Sequence, residues 1–156
     1  MSDTLSFDLA DEAMLVALAQ RCAPLVTSGA VIYLRGDLGA GKTTFARALL
    51  KALGVSERIK SPTYSLIESY VTPTLQAWHL DLYRIGDSRE LEWLGLDAMA
   101  DPAALVLIEW PERGDAGLPP ADLLLCLAHA VEGRHAQWFA HSDRGQQMLK
   151  NLAKTI

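Results

Sequence analysis

The chain has 156 residues, 50% of them hydrophobic, and this length and composition suit a single domain over residues 1–156 with a hydrophobic core. Its formal net charge of −5 argues against a broad basic face that could hold a nucleic-acid backbone unaided. No apolar run approaches the roughly 20 residues of a membrane-spanning helix, and the first residues lack the layout of a secretory signal. We therefore expect a cytoplasmic protein that does not enter a membrane.

The first third of the chain predicts a helix, a strand and a second helix. Apolar residues recur at helical spacing over residues 11–25, and the β-branched run at residues 31–34 is typical of a strand buried on both faces. Residues 43–53 are good helix formers, and Gly54 stands where a C-terminal cap belongs. A glycine-rich loop therefore connects the strand to the second helix.

This loop matches every fixed position of the phosphate-binding pattern G-x-x-x-x-G-K-[ST]. Glycines let backbone N–H groups converge on nucleotide phosphates at the positively polarised start of a helix. Lys42 is expected to neutralise the β and γ phosphates, the Thr43 hydroxyl to ligate magnesium, and Thr44 to bond the α phosphate. A site for a purine nucleoside triphosphate with Mg²⁺ is thus predicted at Gly36, Asp37, Leu38, Gly39, Ala40, Gly41, Lys42, Thr43 and Thr44.

A polar loop and a hairpin come next along the chain. Thr63, in the loop at residues 60–65, is a candidate sensor of the γ phosphate or of magnesium, although this loop is equally an ordinary turn into a strand. The runs at 66–71 and 76–83 are separated by a spacer too short for a helical crossover, so we expect them to pair as a hairpin. The predicted fold class is α/β, a P-loop NTPase-like three-layer sandwich with a mixed, partly antiparallel central sheet.

Two carboxylates near strand ends complete the predicted site. An apolar strand at residues 104–108 leads directly into Glu109, the layout of a Walker B strand with glutamate in place of the usual aspartate. Asp81 lies in an alternating strand, where His79 shares its face and could support it through a hydrogen bond. Either acid could hold magnesium or orient the attacking water, and either could instead be a surface carboxylate. Lys42, Asp81 and Glu109 are therefore the catalytic candidates. Which of the two acids holds magnesium and which orients the attacking water stays open.

Trp110 directly follows Glu109, and it either caps the core or shapes the nucleotide pocket. The later elements are a short helix at 88–94 with Asp87 as its cap, a loop at 115–120, strands at 123–131 and 135–141, and a closing helix at 146–153. Histidines 129, 135 and 141 lie on two strands and favour structural roles over a metal cluster. Cys22 and Cys126 stand far apart and indicate buried free thiols.

Four segments occur together in this order, and their combination resembles the TsaE family, formerly YjeE. They are the P-loop at 36–44, Ser-Pro-Thr-Tyr at 61–64, His-Leu-Asp-Leu-Tyr-Arg at 79–84 and Glu-Trp-Pro-Glu at 109–112. The resemblance, over about residues 31–120, implies a small bacterial ATPase of tRNA threonylcarbamoyladenosine biosynthesis. It also implies two partners, TsaD and TsaB, which place threonylcarbamoyl on the adenosine beside the anticodon of tRNAs that decode ANN codons.

By the same resemblance, each site residue receives a role: Lys42 and Thr43 hold phosphate and Mg²⁺, Thr63 is the switch threonine, Asp81 and Glu109 are the functional acids, and Trp110 lies near the nucleotide. The tRNA is expected to be contacted mainly through the partners, in keeping with the acidic charge.

No motif places an arginine where it would obviously reach a γ phosphate, and Arg84 is the one candidate for an exception. We therefore expect slow hydrolysis by the isolated chain and faster turnover in the assembled complex. Two other functions stay open: a small-molecule kinase, and a non-catalytic subunit whose binding to partners is gated by nucleotide.

Overall fold

The computed structural model describes residues 3–114 and 117–155, which form one seven-stranded sheet and three α-helices. The strands are β1 (Thr4–Leu9), β2 (Ala30–Arg35), β3 (Ile67–Val71), β4 (Gln76–Asp81), β5 (Leu105–Glu109), β6 (Leu123–His129) and β7 (Arg134–Ala140). The α-helices are α1 (Glu12–Cys22), α2 (Lys42–Ala52) and α3 (Asp143–Ala153). Connecting 3₁₀ turns include Ala23–Leu25, Ser88–Leu94, Leu96–Met99 and Pro111–Arg113.

The strands follow the order β1-β7-β6-β2-β5-β4-β3 across the sheet. Strand β2 lies between β6 and β5 and is parallel to both, and β4 is parallel to β5. The pairs β3–β4, β6–β7 and β1–β7 are antiparallel. The parallel centre brings the carboxyl ends of β2, β5 and β4 to one edge, which is where α/β proteins bind ligands. The predicted mixed sheet is confirmed.

Alternating side chains of the central strands divide the core between the two faces of the sheet. Leu105 and Leu107 belong to one cluster with side chains of α1, α2 and α3. Val106 and Ile108, from the same strand, belong to a second cluster that the 3₁₀ turns cover on the opposite face. All four side chains are completely buried, and burial on both faces explains why this strand is apolar throughout. Helices, sheet and 3₁₀ turns make the three layers of the predicted α/β class.

Most predicted elements are confirmed, including both hairpins and all three α-helices. Strand β1 was missed, and residues 88–94 are 3₁₀ rather than α-helical. The Asp87 carboxylate accepts from the Arg89 N–H (2.9 Å), two residues on, instead of closing a capping box with Glu90. The predicted loop at 115–120 lies partly outside the described residues.

Both cysteines are free thiols, as predicted. Cys22 is buried, and burial raises its pKa to about 12. The prediction of burial is wrong for Cys126, which is partly exposed because its β6 position faces away from the helices. Within residues 3–114 and 117–155, no helix is both long and apolar enough to cross a membrane.

Asp122 ties β2 and α3 together at the start of β6. Its carboxylate accepts from the Val31 N–H (2.9 Å), the Ser142 hydroxyl (2.6 Å) and the Arg144 guanidinium (2.8 Å). We expect Asp122→Ala to lower the free energy of unfolding by about 2–4 kcal/mol, because it leaves charged and half-buried donors without an acceptor. Chemical denaturation of the wild type and the variant measures this loss, and the exposed Asp143→Ala is the control.

The same carboxylate predicts a dependence of stability on pH. Burial alone would raise the pKa of Asp122, but the hydrogen bonds from Arg144, Ser142 and the Val31 N–H outweigh burial and hold it below 3.8. A carboxyl whose pKa is lowered by folding stabilises the folded state fully above its unfolded pKa, and this contribution is lost as the pH falls through the folded pKa. The stability difference between the wild type and Asp122→Ala should therefore shrink below about pH 4.

Candidate functional site

The glycine-rich loop lies between the end of β2 and the start of α2. Gly41, the residue before α2, has a left-handed backbone with φ of 114°. A Cβ at this position would lie 2.6 Å from Leu15 Cδ2, so both the backbone and the packing against α1 require glycine. No side chain caps the start of α2, and its first N–H groups are therefore available to an anion.

The Lys42 side chain points into this loop and is only 5% exposed. Its ammonium donates to the carbonyl oxygens of Gly36 and Asp37 (3.0 Å for Asp37) and lies 4.3 Å from the ring centroid of Trp110. Burial lowers the pKa of Lys42, while the nearby carboxylates, first Glu109, act in the opposite direction. The loop, the indole and the acids thus hold the cation in one place.

Glu109 ends β5 with both carboxylate oxygens hydrogen-bonded, and it is 2% exposed. Oε1 accepts from the Thr43 hydroxyl (2.8 Å), and Oε2 lies 2.6 Å from His79 Nε2. The predicted hydrogen bond from His79 to Asp81 is therefore wrong, because the buried imidazole reaches across to the neighbouring strand. His79 fixes the orientation of Glu109, and Thr43 connects Glu109 to the P-loop.

Asp81 lies directly beside Glu109 in the parallel pairing of β4 and β5. Its Oδ1 accepts from the Tyr83 N–H (3.0 Å), and the side chain is buried on the same face as His79. Burial raises the pKa of Asp81; the Tyr83 N–H lowers it, and the charge of Glu109 raises it further. A carboxylate in this environment is favoured to take up a cation or a proton.

These residues surround a cavity of about 270 Å³ at the carboxyl ends of the parallel strands. Its lining is Leu38, Gly39, Gly41, Lys42, Thr43, Thr44, Thr63, Asp81, Tyr83, Arg84, Glu109, Trp110 and Arg134. Most of the predicted site residues are thus brought together, Thr63 included, with its hydroxyl 2.7 Å from Ser61 Oγ. Gly36, Asp37 and Ala40 do not line the cavity: the first two turn carbonyls to Lys42, and Ala40 is buried in the core.

The donor set beside the loop fits magnesium. Among the described residues, no group of three or more histidine, cysteine, aspartate or glutamate side chains could hold a metal ion. Mg²⁺ usually takes only one or two carboxylates from the protein and completes its coordination with substrate phosphates and water. The Thr43 hydroxyl and the Glu109 carboxylate, 2.8 Å apart at the P-loop, are hard oxygen ligands of that kind.

Two cavity residues were not predicted as site residues, Tyr83 and Arg134. Tyr83 follows the Asp81 strand, and its ring centroid lies 5.0 Å from that of Trp110. Arg134 starts β7, far along the chain from every motif, and no local pattern pointed to it. The tyrosine could have been found from the Asp-Leu-Tyr spacing, whereas the arginine required knowledge of the strand order.

The fold and the site together define a protein with the P-loop NTPase-like fold. The family model described as "Threonylcarbamoyl adenosine biosynthesis protein TsaE" matches residues 9–136. This match covers most of the chain, and the chain belongs to the TsaE family.

Relatives and a solved structure agree with this assignment. A "tRNA threonylcarbamoyladenosine biosynthesis protein TsaE" of Haemophilus influenzae is 39% identical over 119 residues, which are 76% of this chain and 75% of the relative. A protein of the same name from Bacillus subtilis is 33% identical over 139 residues, 88% of this chain and 87% of the relative. A crystal structure of Bacillus subtilis YdiB superposes with a TM-score of 0.84 at 28% identity and covers 99% of this chain and 97% of YdiB.

Proposed function

We propose that this chain binds ATP with Mg²⁺ at the P-loop and hydrolyses it in support of tRNA threonylcarbamoyladenosine biosynthesis. The observation that carries the proposal is the contact of the Thr43 hydroxyl with the Glu109 carboxylate at 2.8 Å, beside the uncapped start of α2. Helix N–H groups bind phosphate, and the two side-chain oxygens are hard ligands of the kind that would hold Mg²⁺. The names of the relatives supply the biological process.

The P-loop and the neighbouring carboxylates have separate roles in hydrolysis. The N–H groups at the start of α2 and the Lys42 ammonium bind and neutralise the phosphates. Thr43 and Glu109 would hold a magnesium ion, and this ion would supply positive charge against the negative charge of the β and γ phosphates. His79 keeps Glu109 oriented through its 2.6 Å contact.

Asp81 is the residue that we assign to the attacking water. It lines the cavity beside Glu109, and burial raises its pKa, which favours acceptance of a proton. Water attacks the γ phosphorus, the bond from that phosphorus to the β–γ bridging oxygen breaks, and ADP leaves. The proton given up by the water passes through Asp81 to the released phosphate.

The partner proteins follow from the family resemblance. We propose that the chain acts with TsaD and TsaB, and that tRNA is held mainly by these partners. The net charge of −5 supports this division, since a polyanion is repelled by an acidic protein.

The proposal is tested by multiple-turnover release of phosphate from ATP, with Mg²⁺ or with excess EDTA. We expect turnover with Mg²⁺ and a rate at least ~10-fold lower with EDTA. The reason is that a bound metal ion stabilises the charge of the transition state by several kcal/mol. Nucleotide binding without turnover, alone or with TsaB and TsaD, would instead support a nucleotide-gated scaffold. Transfer of labelled γ phosphate to an added metabolite would support a small-molecule kinase.

A further inference from the structure

Helices α1 and α2 pack side by side, and an open groove of about 460 Å³ lies between them on the solvent side. Its α1 wall consists of residues at four-residue intervals, Glu12, Val16 and Gln20. Ala48 and Ala52, also four residues apart, lie on the α2 side. Val16 and Ala48 are half-buried, whereas Ala52 is exposed. The middle of the groove is therefore apolar and open to solvent.

Two cations border this groove on the α2 side. Arg47 and Lys51 lie one helical turn apart, and both side chains are exposed. Among the residues that the structure describes, neither cation forms an ion pair or a side-chain hydrogen bond. The chain as a whole carries a net charge of −5. An acidic partner is therefore attracted to this edge of the groove, while the net charge of the protein disfavours its approach elsewhere.

The shape of the groove fits a third helix. Along α1, the wall from Glu12 to Gln20 is about 12 Å long, slightly more than two helical turns. Rows of side chains four residues apart are the ridges between which a further helix packs. The short side chains of Ala48 and Ala52 allow the backbone of such a helix to approach closely. A helix about two turns long, with apolar side chains over Val16, would therefore fill the groove.

The lining of the groove favours a protein segment over RNA. None of the described residues that line it is aromatic, whereas proteins that bind single-stranded RNA stack its bases on aromatic side chains. Glu12, on the α1 wall, would repel a phosphate backbone that ran along the groove. A helix avoids this repulsion when its acidic side chains face Arg47 and Lys51 and its opposite edge carries none.

One end of the groove reaches the nucleotide site. Thr44, in the first turn of α2, lines both the groove and the P-loop cavity. A segment bound along the groove therefore ends beside the start of α2, where we propose that the phosphates bind. This position suits a partner of a subunit whose ATP hydrolysis serves a larger assembly.

We propose that the groove between α1 and α2 binds an acidic amphipathic helix of the TsaB–TsaD assembly. This inference rests on the proposed partnership with these two proteins. Val16, Ala48 and Ala52 supply the apolar contact, and Arg47 and Lys51 pair with acidic side chains of the partner helix. The groove is thus a partner surface that meets the P-loop cavity at Thr44.

Calorimetric titration of the full chain with purified TsaB–TsaD, in the presence of ATP and Mg²⁺, tests the charge of this surface. Lys51→Glu is expected to raise the Kd at least ~10-fold, because an acidic side chain of the partner would then meet a like charge. Lys150→Glu is the matched control, since both lysines are exposed and lie in the last turn of an 11-residue helix. Both substitutions place the same charge at a helix C-terminus, but Lys150 does not line the groove.

A second variant tests the space in the groove. Ala52→Trp fills the groove from an exposed position, so we expect the fold to tolerate it and the Kd for TsaB–TsaD to rise at least ~10-fold through steric overlap. An unchanged thermal midpoint in both variants shows that the loss of affinity is not a loss of folding.

The outcomes separate this inference from the function on which it rests. A wild-type Kd in either Lys51→Glu or Ala52→Trp would overturn it, because an acidic helix in the groove requires both the charge and the space. Binding of tRNA to the chain alone that Lys51→Glu abolishes, with TsaB–TsaD affinity unchanged, would assign the groove to RNA. A wild-type dimer that Lys51→Glu dissociates, again with unchanged affinity, would assign it to a second copy. Wild-type protein that hydrolyses ATP but does not bind TsaB–TsaD would overturn the partnership and this inference with it, while the proposed hydrolysis would stand.

Discussion

Replacing Glu109 with glutamine is expected to lower steady-state phosphate release about 10³-fold while ATP still binds. Glutamine keeps the size of the side chain and one oxygen that can accept from the Thr43 hydroxyl. It removes the negative charge that we assign to magnesium, and it offers His79 an amide instead of a carboxylate. Losing a preorganised charge in a buried site typically costs about 10²–10³ in kcat.

The effect is measured as phosphate release at saturating ATP and Mg²⁺, together with a titration of nucleotide binding. Glu112→Gln is the matched control, since Glu112 is close in sequence, exposed, and 4.0 Å from Arg35 in a surface ion pair. That control should keep the wild-type rate, because exposed ion pairs contribute little. A Glu109→Gln variant with wild-type turnover would remove Glu109 from the chemistry and leave it a structural partner of Thr43.

Local patterns in the sequence predicted the P-loop and the buried strands because these features depend on residues that are close along the chain. The loop pattern occupies adjacent positions, and β5 is apolar throughout because both of its faces are covered. Glu109 follows that strand directly, so its place at the sheet edge could be inferred without any tertiary contact.

Contacts between distant segments could not be inferred in this way. The bond from His79 to Glu109 depends on β4 and β5 being neighbours in parallel register. Arg134 reaches the P-loop because β7 and β6 continue the sheet beyond β2, and the order of strands is not encoded in any one segment. Strand β1 is different, because Leu5, Phe7 and Leu9 alternate with polar residues, and this local pattern is typical of a strand although β1 was not predicted.

Adding TsaB and TsaD together is expected to raise the rate of phosphate release at least ~10²-fold. An arginine that is brought to the γ phosphate is worth about 10³–10⁵ in rate in related hydrolases. Arg84 lines the cavity on the side of the acids, but its guanidinium lies 4.4 Å over the ring of Tyr64. Tyr64 is 83% exposed and stands next to Thr63 in the loop at residues 60–65. A partner that covers Tyr64 would therefore change the position of Arg84.

Substitution of Arg84 distinguishes this arrangement from an arginine that a partner supplies. If Arg84 is the stabilising cation, Arg84→Gln should lose most of the partner-stimulated rate, whereas Arg58→Gln, at an exposed position outside the cavity, should keep it. A full stimulated rate in Arg84→Gln would move the stabilising charge to TsaB or TsaD. Equal rates for the wild type with and without partners would contradict the stimulation itself. In that case the contact of Arg84 with the Tyr64 ring would have no role in stimulation. All the groups needed for hydrolysis would then belong to this chain.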